Sequence, residues 1–544
     1  ALPICSSHFG SSVCRPGCHP DLLYSSPLPR PQNRSWQAGM ACLDGVCCSS
    51  GSSFSTEIIR PAGLEADNMD EAPRVKLLLM EMMFARVPLS AASYPALAFR
   101  LSNCNAGILK ASLATALAAY PMLAGRLRGR EVVLTNDGVP FTVCDDAAGR
   151  APEDMEEGLL LRFADFRPAQ RVRKGLEPLL TVKLTRFRDG SAVLAMCRSH
   201  ALLDGTSAWA FLADWAAAAK GQPLRGSTSA DRAAIQRLLP SDAQIDEIAM
   251  DLHGKTFSPT WKSWAMECAL KPVAAVWDRL FLGGVAFPNR PRLFLSDAAL
   301  TCIKAAATPA PWSAGDGWVS TQEAVAAYIL LTVCRSVLPA DSQGRALLLL
   351  LLDSRKSLGL PDGICMGCSL ALIGLQVQGI LQMGLAEVAH EIHEAAKAGA
   401  SPDALRKHWL LGAGLGEQKM PFEAMDYLMK LRAKSDITLQ LNNQSKRKLP
   451  DFGADGSGGR ARAVLTNAGP TLILPAPGGV EILFCPSFLG AGRRAKTAME
   501  ALRSQVPDGT SGPTLLDSER CAVESKGHGK IVGEKADGSC EAQS

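Results

Sequence analysis

The sequence of 544 residues has no long apolar run and no marked excess of charge of one sign. Its longest stretch without a charged residue, 363–386, contains three glutamines and five glycines, so we expect no membrane span. The 57 Lys and Arg against 53 Asp and Glu leave a net charge of +4, which does not favour nucleic acid as a partner. The 17 cysteines are about 3% of the chain, far below a disulfide scaffold, and they favour free thiols in a reduced compartment.

The composition is that of a large globular protein, with 47% apolar and 20% charged residues. Strand-like and helix-like stretches alternate without a repeated period, which predicts an α/β or α+β fold. Apolar residues recur every four positions between Ile108 and Tyr120, so we predict a helix that ends at Pro121. Ala192–Arg198 has the pattern of a strand, and a helix is predicted around 208–215.

The two ends differ from the rest in composition. Residues 1–55 are rich in Ser, Pro, Gly and Cys, and Asp21 and Asp44 are their only acidic residues, which predicts a disordered or targeting-like leader. Residues 491–544 are predicted to be a largely disordered tail. We expect a cytoplasmic protein, or a plastid protein if the leader is a transit peptide.

The loop between the predicted strand and helix carries an HxxxDG pattern, formed by His200, Asp204 and Gly205. A histidine at the exit of a strand can reach into a cleft, where its near-neutral pKa suits proton removal from a hydroxyl or amine. Asp204 can cap the next helix or bind an arginine, and Gly205 permits a sharp turn. The alternative is a core histidine that happens to precede an N-capping aspartate.

Several companion segments, taken with this loop, resemble the BAHD family of CoA-dependent acyltransferases. Residues 108–127, with Tyr-Pro-Met-Leu-Ala-Gly-Arg-Leu at 120–127, are similar to the family's helix and its Y-P-L-A-G-R-L segment. Asn136–Phe141 resembles the next hairpin, for which the strands 131–134 and 139–144 are predicted to pair. Residues 320–328 resemble the S-T-F-E-A-L-S-A-H helix, and Asp353–Arg355 the D-x-R segment. The resemblance covers about residues 56–490.

The resemblance implies two similar mixed-sheet domains of the CoA-dependent acyltransferase superfamily with a tunnel between them. The implied boundaries are an N-terminal domain at 56–225, a crossover connection at 226–310 and a C-terminal domain at 311–490. By the same resemblance, His200 is the general base that deprotonates an alcohol or amine acceptor for attack on an acyl-CoA, without an acyl-enzyme. Asp204 would pair with Arg355 to support the site. We therefore expect a monomeric enzyme with acyl-CoA as co-substrate and no permanent cofactor.

The family's second motif, D-F-G-W-G, is only partly present. Asp451, Phe452 and Gly453 match, whereas Ala454 and Asp455 replace the next two positions. Asp451 is a second catalytic candidate, and its alternative role is that of a turn or packing residue. The residues that would bind CoA are not identified by the sequence, although the basic run 446–448 could attract phosphates or simply be solvated.

Other patterns do not indicate a metal site. A CxxC at 365–368 has no second pair, and His390 and His393 with their acidic neighbours are typical of a solvated helix. Two rival functions stay open beside the acyltransferase. One is a non-catalytic scaffold of the same fold, and the other is a condensation-type domain, in which a second histidine usually precedes the loop where this chain has Ser199.

Overall fold

The computed structural model describes residues between 53 and 507. The main gaps in that description are 87–93, 153–161, 227–240, most of 254–290, 309–318, most of 356–369, 418–433, 454–463 and 486–491. Contacts divide the chain into Ala1–Gly45, which lies outside the described residues, and Val46–Ser544, to which everything below refers. The predicted leader therefore lies almost wholly outside the description, as do Ala454, Asp455 and the CxxC.

The first half of the described chain contains eight strands and four α-helices. The strands are β1 (Ser53–Ile59), β2 (Arg74–Lys76), β3 (Ala96–Ser102), β4 (Arg126–Arg128), β5 (Glu131–Val133), β6 (Val139–Asp145), β7 (Leu180–Arg186) and β8 (Ser191–Arg198). The helices are α1 (Leu79–Arg86), α2 (Ala106–Ala119), α3 (Ala169–Arg173) and α4 (Gly205–Ala219). Helix α2 gives way at Pro121 to a 3₁₀ turn, Pro121–Ala124, so the predicted helix and its end are confirmed.

The rest of the described chain continues the alternation of helices and strands. Its helices are α5 (Asp242–His253), α6 (Asp297–Ala307), α7 (Thr321–Val337), α8 (Leu385–Gly399), α9 (Pro402–Glu417) and α10 (Gly492–Ser504), with a 3₁₀ turn at Ile380–Gln382. Its strands are β9 (Arg292–Ser296), β10 (Ala346–Asp353), β11 (Leu370–Val377), β12 (Ile437–Asn443), β13 (Val464–Leu465), β14 (Thr471–Ala476) and β15 (Gly479–Leu483). Ser320 and Glu323 start α7 with a reciprocal capping box.

Among the described residues the strands form two six-stranded sheets and one small sheet. The first large sheet has the order β1-β6-β7-β8-β3-β13, and the second has the order β11-β10-β12-β14-β15-β9. Each contains parallel and antiparallel neighbours, for example β6 beside β7 and β7 beside β8 in the first sheet. Each sheet has its own buried apolar cluster. The predicted α/β architecture with two mixed-sheet domains is confirmed.

The predicted hairpin around Asn136 is wrong. Asn136 and Gly138 do have positive φ, 51° and 86°, as the turn chemistry requires. However, β5 pairs with β2 and β4 in the small sheet, whereas β6 pairs with β1 and β7 in the first large sheet. The turn therefore carries the chain from one sheet to another, because the tertiary pairing of these strands overrides the local turn signal.

Described elements fall inside two of the segments that were predicted to lie outside the domains. Strand β9 and helix α6 fall within the predicted connection 226–310, yet β9 is the edge strand of the second sheet, paired with β15. Helix α10 falls within the predicted tail, and its buried residues Ala498, Met499 and Leu502 belong to the second apolar cluster. The hydroxyl of Tyr328 on α7 donates to the carbonyl of Leu502 at 2.9 Å. None of the described helices is both long and apolar enough to cross a membrane.

Two segments from the second half of the chain pack with the first sheet and its apolar cluster. Strand β13 comes from the second half of the chain but pairs antiparallel with β3 in the first sheet. Phe452 also belongs to the apolar cluster of the first half, and its ring meets the ring of Trp215 edge-on at 4.9 Å. Helix α4 is consequently held between its own sheet and segments of the second half.

Candidate functional site

The HxxxDG loop lies between the end of β8 and the start of α4, as the sequence predicts. The loop folds on Ser199, whose carbonyl accepts hydrogen bonds from the backbone N–H groups of Leu202 and Leu203, both at 3.1 Å. The N–H of Ser199 itself donates to the carbonyl of Leu179 at 2.8 Å, which ties the loop to the first sheet. This turn fixes the backbone from which His200 projects.

His200 is largely buried, with 8% of its surface exposed. Its imidazole lies parallel to the ring of Phe84, with centroids 4.0 Å apart and an angle of 12° between the ring planes. Its Nδ1 atom is buried and has no hydrogen-bond partner among the described residues. The histidine is therefore buried, with one ring nitrogen that the described residues leave without a hydrogen bond.

Burial, and secondly the charge of Arg198, lower the pKa of His200 from 6.5 to about 4. The backbone of His200 and the carboxylate of Asp204 act in the opposite direction without reversing this shift. A histidine with such a pKa is neutral at physiological pH. Its imidazole is therefore in the form that can accept a proton.

Arg198 is a buried cation beside the histidine that the sequence analysis did not identify as part of the site. Only 2% of its surface is exposed, and burial lowers the pKa of its guanidinium to about 10, so it stays charged at neutral pH. Its Nε donates to the carbonyl of Leu203 at 3.3 Å, and its Nη1 lies 3.5 Å from the carbonyl of Pro95. In the sequence, Arg198 is the one charged residue of the apolar strand Ala192–Arg198, and this isolated charge is the signal that could have identified it.

Asp204 is completely buried and serves two structural purposes at once. Its Oδ1 accepts hydrogen bonds from the N–H and the hydroxyl of Ser207, both at 2.9 Å, and so caps α4. Its Oδ2 accepts a hydrogen bond from Nη2 of Arg355 at 2.9 Å, in a buried ion pair. The structure thus brings Asp204 and Arg355 together and ties the loop of the first half to the segment after β10 in the second half.

The ion pair continues into a wider polar network between the halves. Asp353 accepts hydrogen bonds through Oδ1 from the backbone N–H and the Nη1 of Arg355, at 3.1 and 3.0 Å. Its Oδ2 accepts from the hydroxyl of Thr206 at 2.6 Å, and that hydroxyl in turn accepts from Nη2 of Arg447 at 2.6 Å. The first turn of α4 is therefore bonded to two separate segments of the second half.

Gly205 has a different role from the one the sequence suggests. It is not among the glycines with positive φ, so the turn does not require its backbone freedom. A Cβ atom at this position would lie 2.8 Å from Nε2 of Gln444, which is closer than real contacts of this kind. The Oε1 of Gln444 accepts a hydrogen bond from the indole of Trp209 at 2.6 Å. Glycine is present because the Gln444 amide occupies the space of a side chain.

Asp451 lies at the other end of α4, away from the histidine. Its Oδ2 pairs with Nζ of Lys220, the C-terminal capping residue of α4, at 3.2 Å, and its Oδ1 accepts from the N–H of Gly453 at 3.0 Å. Half of its side chain is exposed, at 51%. A helix of 15 residues is about 22 Å long, so this position suits an anchor of the D-F-G segment and not a group that touches reacting atoms near His200.

No group of three or more metal-ligating side chains occurs in the part of the chain that the structure describes. His393 instead places its Nδ1 3.2 Å from Oε2 of Glu323, the residue that closes the capping box of α7. This contact ties α8 to the start of α7. The contact between His393 and Glu323 is partly buried, so this face of α8 packs against α7.

The segment that holds this loop matches a known family model. Residues 95–261 match the model of the Transferase family. Hydroxycinnamoyl-CoA:piscidic acid hydroxycinnamoyltransferase from Actaea racemosa is 33% identical over 126 residues, 21% of this chain and 27% of the relative. Tryptamine hydroxycinnamoyltransferase 2 from Oryza sativa subsp. japonica is 34% identical over 133 residues, 23% of this chain and 30% of the relative. The alignments thus span less than a third of these relatives.

Solved structures share the fold over a longer range. Vinorine synthase superimposes with a TM-score of 0.54 at 17% identity, over 80% of this chain and 94% of that chain. The first condensation domain of the calcium-dependent antibiotic synthetase superimposes with a TM-score of 0.50 at 15% identity, over 82% and 98%. At such identities the likeness concerns the fold alone. The segment that carries HxxxDG is therefore similar to the Transferase family, and the longer likeness to solved structures concerns the fold.

Proposed function

We propose that this protein transfers an acyl group from an acyl-CoA thioester to the hydroxyl or amine of a small acceptor, with His200 as general base. The observation that carries this proposal is the placement of His200 in a loop that two halves of the molecule hold, within residues 95–261, which match the Transferase family model. The name of one matched relative, hydroxycinnamoyl-CoA:piscidic acid hydroxycinnamoyltransferase, supports an acyl-CoA donor.

The proposed reaction is a direct transfer in a complex of both substrates. A ring nitrogen of His200 takes the acceptor's proton as its oxygen or nitrogen attacks the thioester carbonyl. The tetrahedral oxyanion then collapses, the C–S bond breaks, and the leaving CoA thiolate receives the proton from the imidazolium. The products are an ester or amide and CoA with a free thiol. No acyl-enzyme forms, and the histidine returns to its neutral state.

We assign proton acceptance to Nε2 of His200. The other nitrogen, Nδ1, is buried without a hydrogen-bond partner among the described residues, so no acceptor can reach it without rearrangement. The neutral imidazole would then carry its hydrogen on Nδ1. A general base of this kind contributes about 100- to 10,000-fold to the rate, and holding both substrates together contributes further.

The proposal gives the other predicted residues structural roles. Asp204 and Arg355 hold the loop, Gly205 makes room for Gln444, and Asp451 anchors the segment after β12. The tunnel between the domains, the monomeric state and a cytoplasmic or plastid location stay predictions, as does the absence of a permanent cofactor. The division into domains near 225 and 310 is likewise proposed, with β9 now assigned to the second.

The test is a panel of acyl-CoA thioesters against pooled phenolic, aliphatic and amine acceptors, read by mass spectrometry and by release of free CoA thiol. We expect acceptor-dependent thiol release by the native protein and a fall of about 100-fold or more in His200→Ala. His393→Gln is a matched control, since it changes another partly buried histidine while keeping a polar group toward Glu323. A native protein that releases no thiol would support the scaffold alternative, and a fully active His200→Ala would remove His200 from the mechanism.

A further inference from the structure

Among the described residues, no hydrogen bond to Nδ1 fixes the orientation of the His200 ring. Histidines that act in catalysis commonly donate their second ring N–H to a carboxylate or carbonyl, which fixes the ring and its tautomer. Nδ1 of His200 has no such partner among the described residues. The nearest carboxylate in sequence, Asp204, directs its oxygens to Ser207 and Arg355 instead.

The ring contact that is present comes from a distant part of the chain. Phe84 belongs to α1, a short helix that packs on α9 of the second half, and its side chain also packs against the apolar cluster of the first half. Its ring covers one face of the imidazole, with centroids 4.0 Å apart and nearly parallel planes. Rotation of the imidazole about its bond to Cβ would break this stack. The stack can therefore fix the orientation of the imidazole, as a hydrogen bond to the second ring nitrogen does in other catalytic histidines.

The same contact changes with the charge of the imidazole. A neutral ring over the face of Phe84 gains dispersion and desolvation only, whereas an imidazolium there gains cation–π attraction. This attraction corresponds to about 2- to 30-fold in proton affinity. The guanidinium of Arg198 repels the imidazolium, and Asp204 attracts it, so the ring of Phe84 acts together with Asp204.

We propose that Phe84 is a positioning residue for His200, whose ring fixes the plane of the imidazole and stabilises the imidazolium that forms during acyl transfer. The second part rests on the proposed function, because it needs His200 to accept a proton. The first part is a statement about the ring alone. The two parts can therefore be tested apart.

The first test does not depend on activity. In the full-length protein labelled with ¹³C and ¹⁵N in its 8 histidines, the ring signals of His200 are identified by their loss in His200→Gln. We expect its ring protons to be shifted upfield by the stacked ring of Phe84 and its two nitrogens to show one tautomer. Phe84→Leu should remove the upfield shift and bring the nitrogen signals toward an exchange average, and Phe84→Tyr should retain both features. Unchanged His200 signals in Phe84→Leu would overturn the proposal.

The second test measures transfer kinetics. Phe84→Leu should lower kcat by about 2- to 30-fold while KM for the acyl-CoA changes less than twofold, and Phe84→Tyr should restore kcat. Phe163→Leu is the matched control, because Phe163 is a buried ring of the same half that meets Phe187 edge-on and not a histidine. A fall in Phe84→Leu that Phe84→Tyr does not rescue, or one seen equally in Phe163→Leu, would overturn the catalytic part.

Phe84→Met is made alongside, so that a variant without an aromatic face is still measured if Phe84→Leu does not fold. If the native protein itself shows no acyl transfer, the proposed function and the catalytic part fail together. The labelled-histidine experiment still decides whether Phe84 holds the ring. The failure of the positioning proposal and the failure of the acyltransferase proposal thus give different results.

Discussion

Replacement of Gly205 by alanine should destabilise the protein, although alanine is the better helix former. Gly205 is the first residue of α4, where an alanine would ordinarily gain up to about 1 kcal/mol over glycine. Its Cβ would meet Nε2 and Cδ of Gln444 at 2.8 and 3.3 Å. The side-chain amide of Gln444 must then move away. The free-energy cost of that movement decides whether the substitution stabilises or destabilises the protein.

The size of the effect follows from what holds the Gln444 amide. Its Oε1 accepts the indole N–H of Trp209 at 2.6 Å, both side chains are largely buried, and its backbone N–H donates to the carbonyl of Ile473 at 2.8 Å. Displacement of the amide leaves a buried indole N–H unpaired, which costs about 1–3 kcal/mol. After the gain from helix propensity is subtracted, we expect a net loss of about 1 kcal/mol in the free energy of unfolding.

The assay is a double-mutant cycle with Gly205→Ala, Gln444→Ala and the combined variant, followed by urea unfolding under identical conditions. In the Gln444→Ala background the obstacle is gone, so Gly205→Ala should become neutral or stabilising. The coupling energy between the two positions should therefore be about 1–3 kcal/mol. If Gly205→Ala has the same effect in both backgrounds, the amide is not what excludes a side chain at 205, and the reasoning is refuted.

Three further outcomes are expected around the loop. Arg355→Met should cost about 3–5 kcal/mol of stability because it leaves the carboxylate of Asp204 buried without its counter-charge, whereas adding Asp204→Asn should recover part of that loss; equal losses in both variants would contradict this. Arg198→Met should raise the pKa of His200 above about 4, because it removes a repelling charge, and an NMR titration that shows no rise would contradict it. Asp451→Asn should leave kcat within about threefold, since the side chain contacts the exposed end of α4; a loss like that of His200→Ala would restore its catalytic candidacy.

Local patterns in the sequence were sufficient for the elements around the site. The apolar period from Ile108 to Tyr120 and the strand that ends at Arg198 are both present, because each depends on near neighbours in the chain. The cap formed by Asp204 is also local, since it bonds to a residue three positions on. Its pairing with Arg355 came from the family resemblance, not from any local rule.

Contacts between distant residues account for what the sequence could not provide. Gln444 and Trp209 are separated by 235 positions, and the stack between Phe84 and His200 joins α1 to the loop after β8. The local sequence around each of these residues does not indicate which distant residue it contacts. The turn at Asn136 shows the same limit, because its backbone conformation follows from Asn and Gly while the strands it joins pair elsewhere.

The family match covers 95–261, but the loop it contains depends on residues far outside that range. Without the second half, the carboxylate of Asp204 would lose its ion pair with Arg355, and the edge of β3 would lose its pairing with β13. The ring of Phe452 would also leave the cluster around Trp215. The matched segment alone should therefore not hold His200 in place, and the proposed activity belongs to the two halves together.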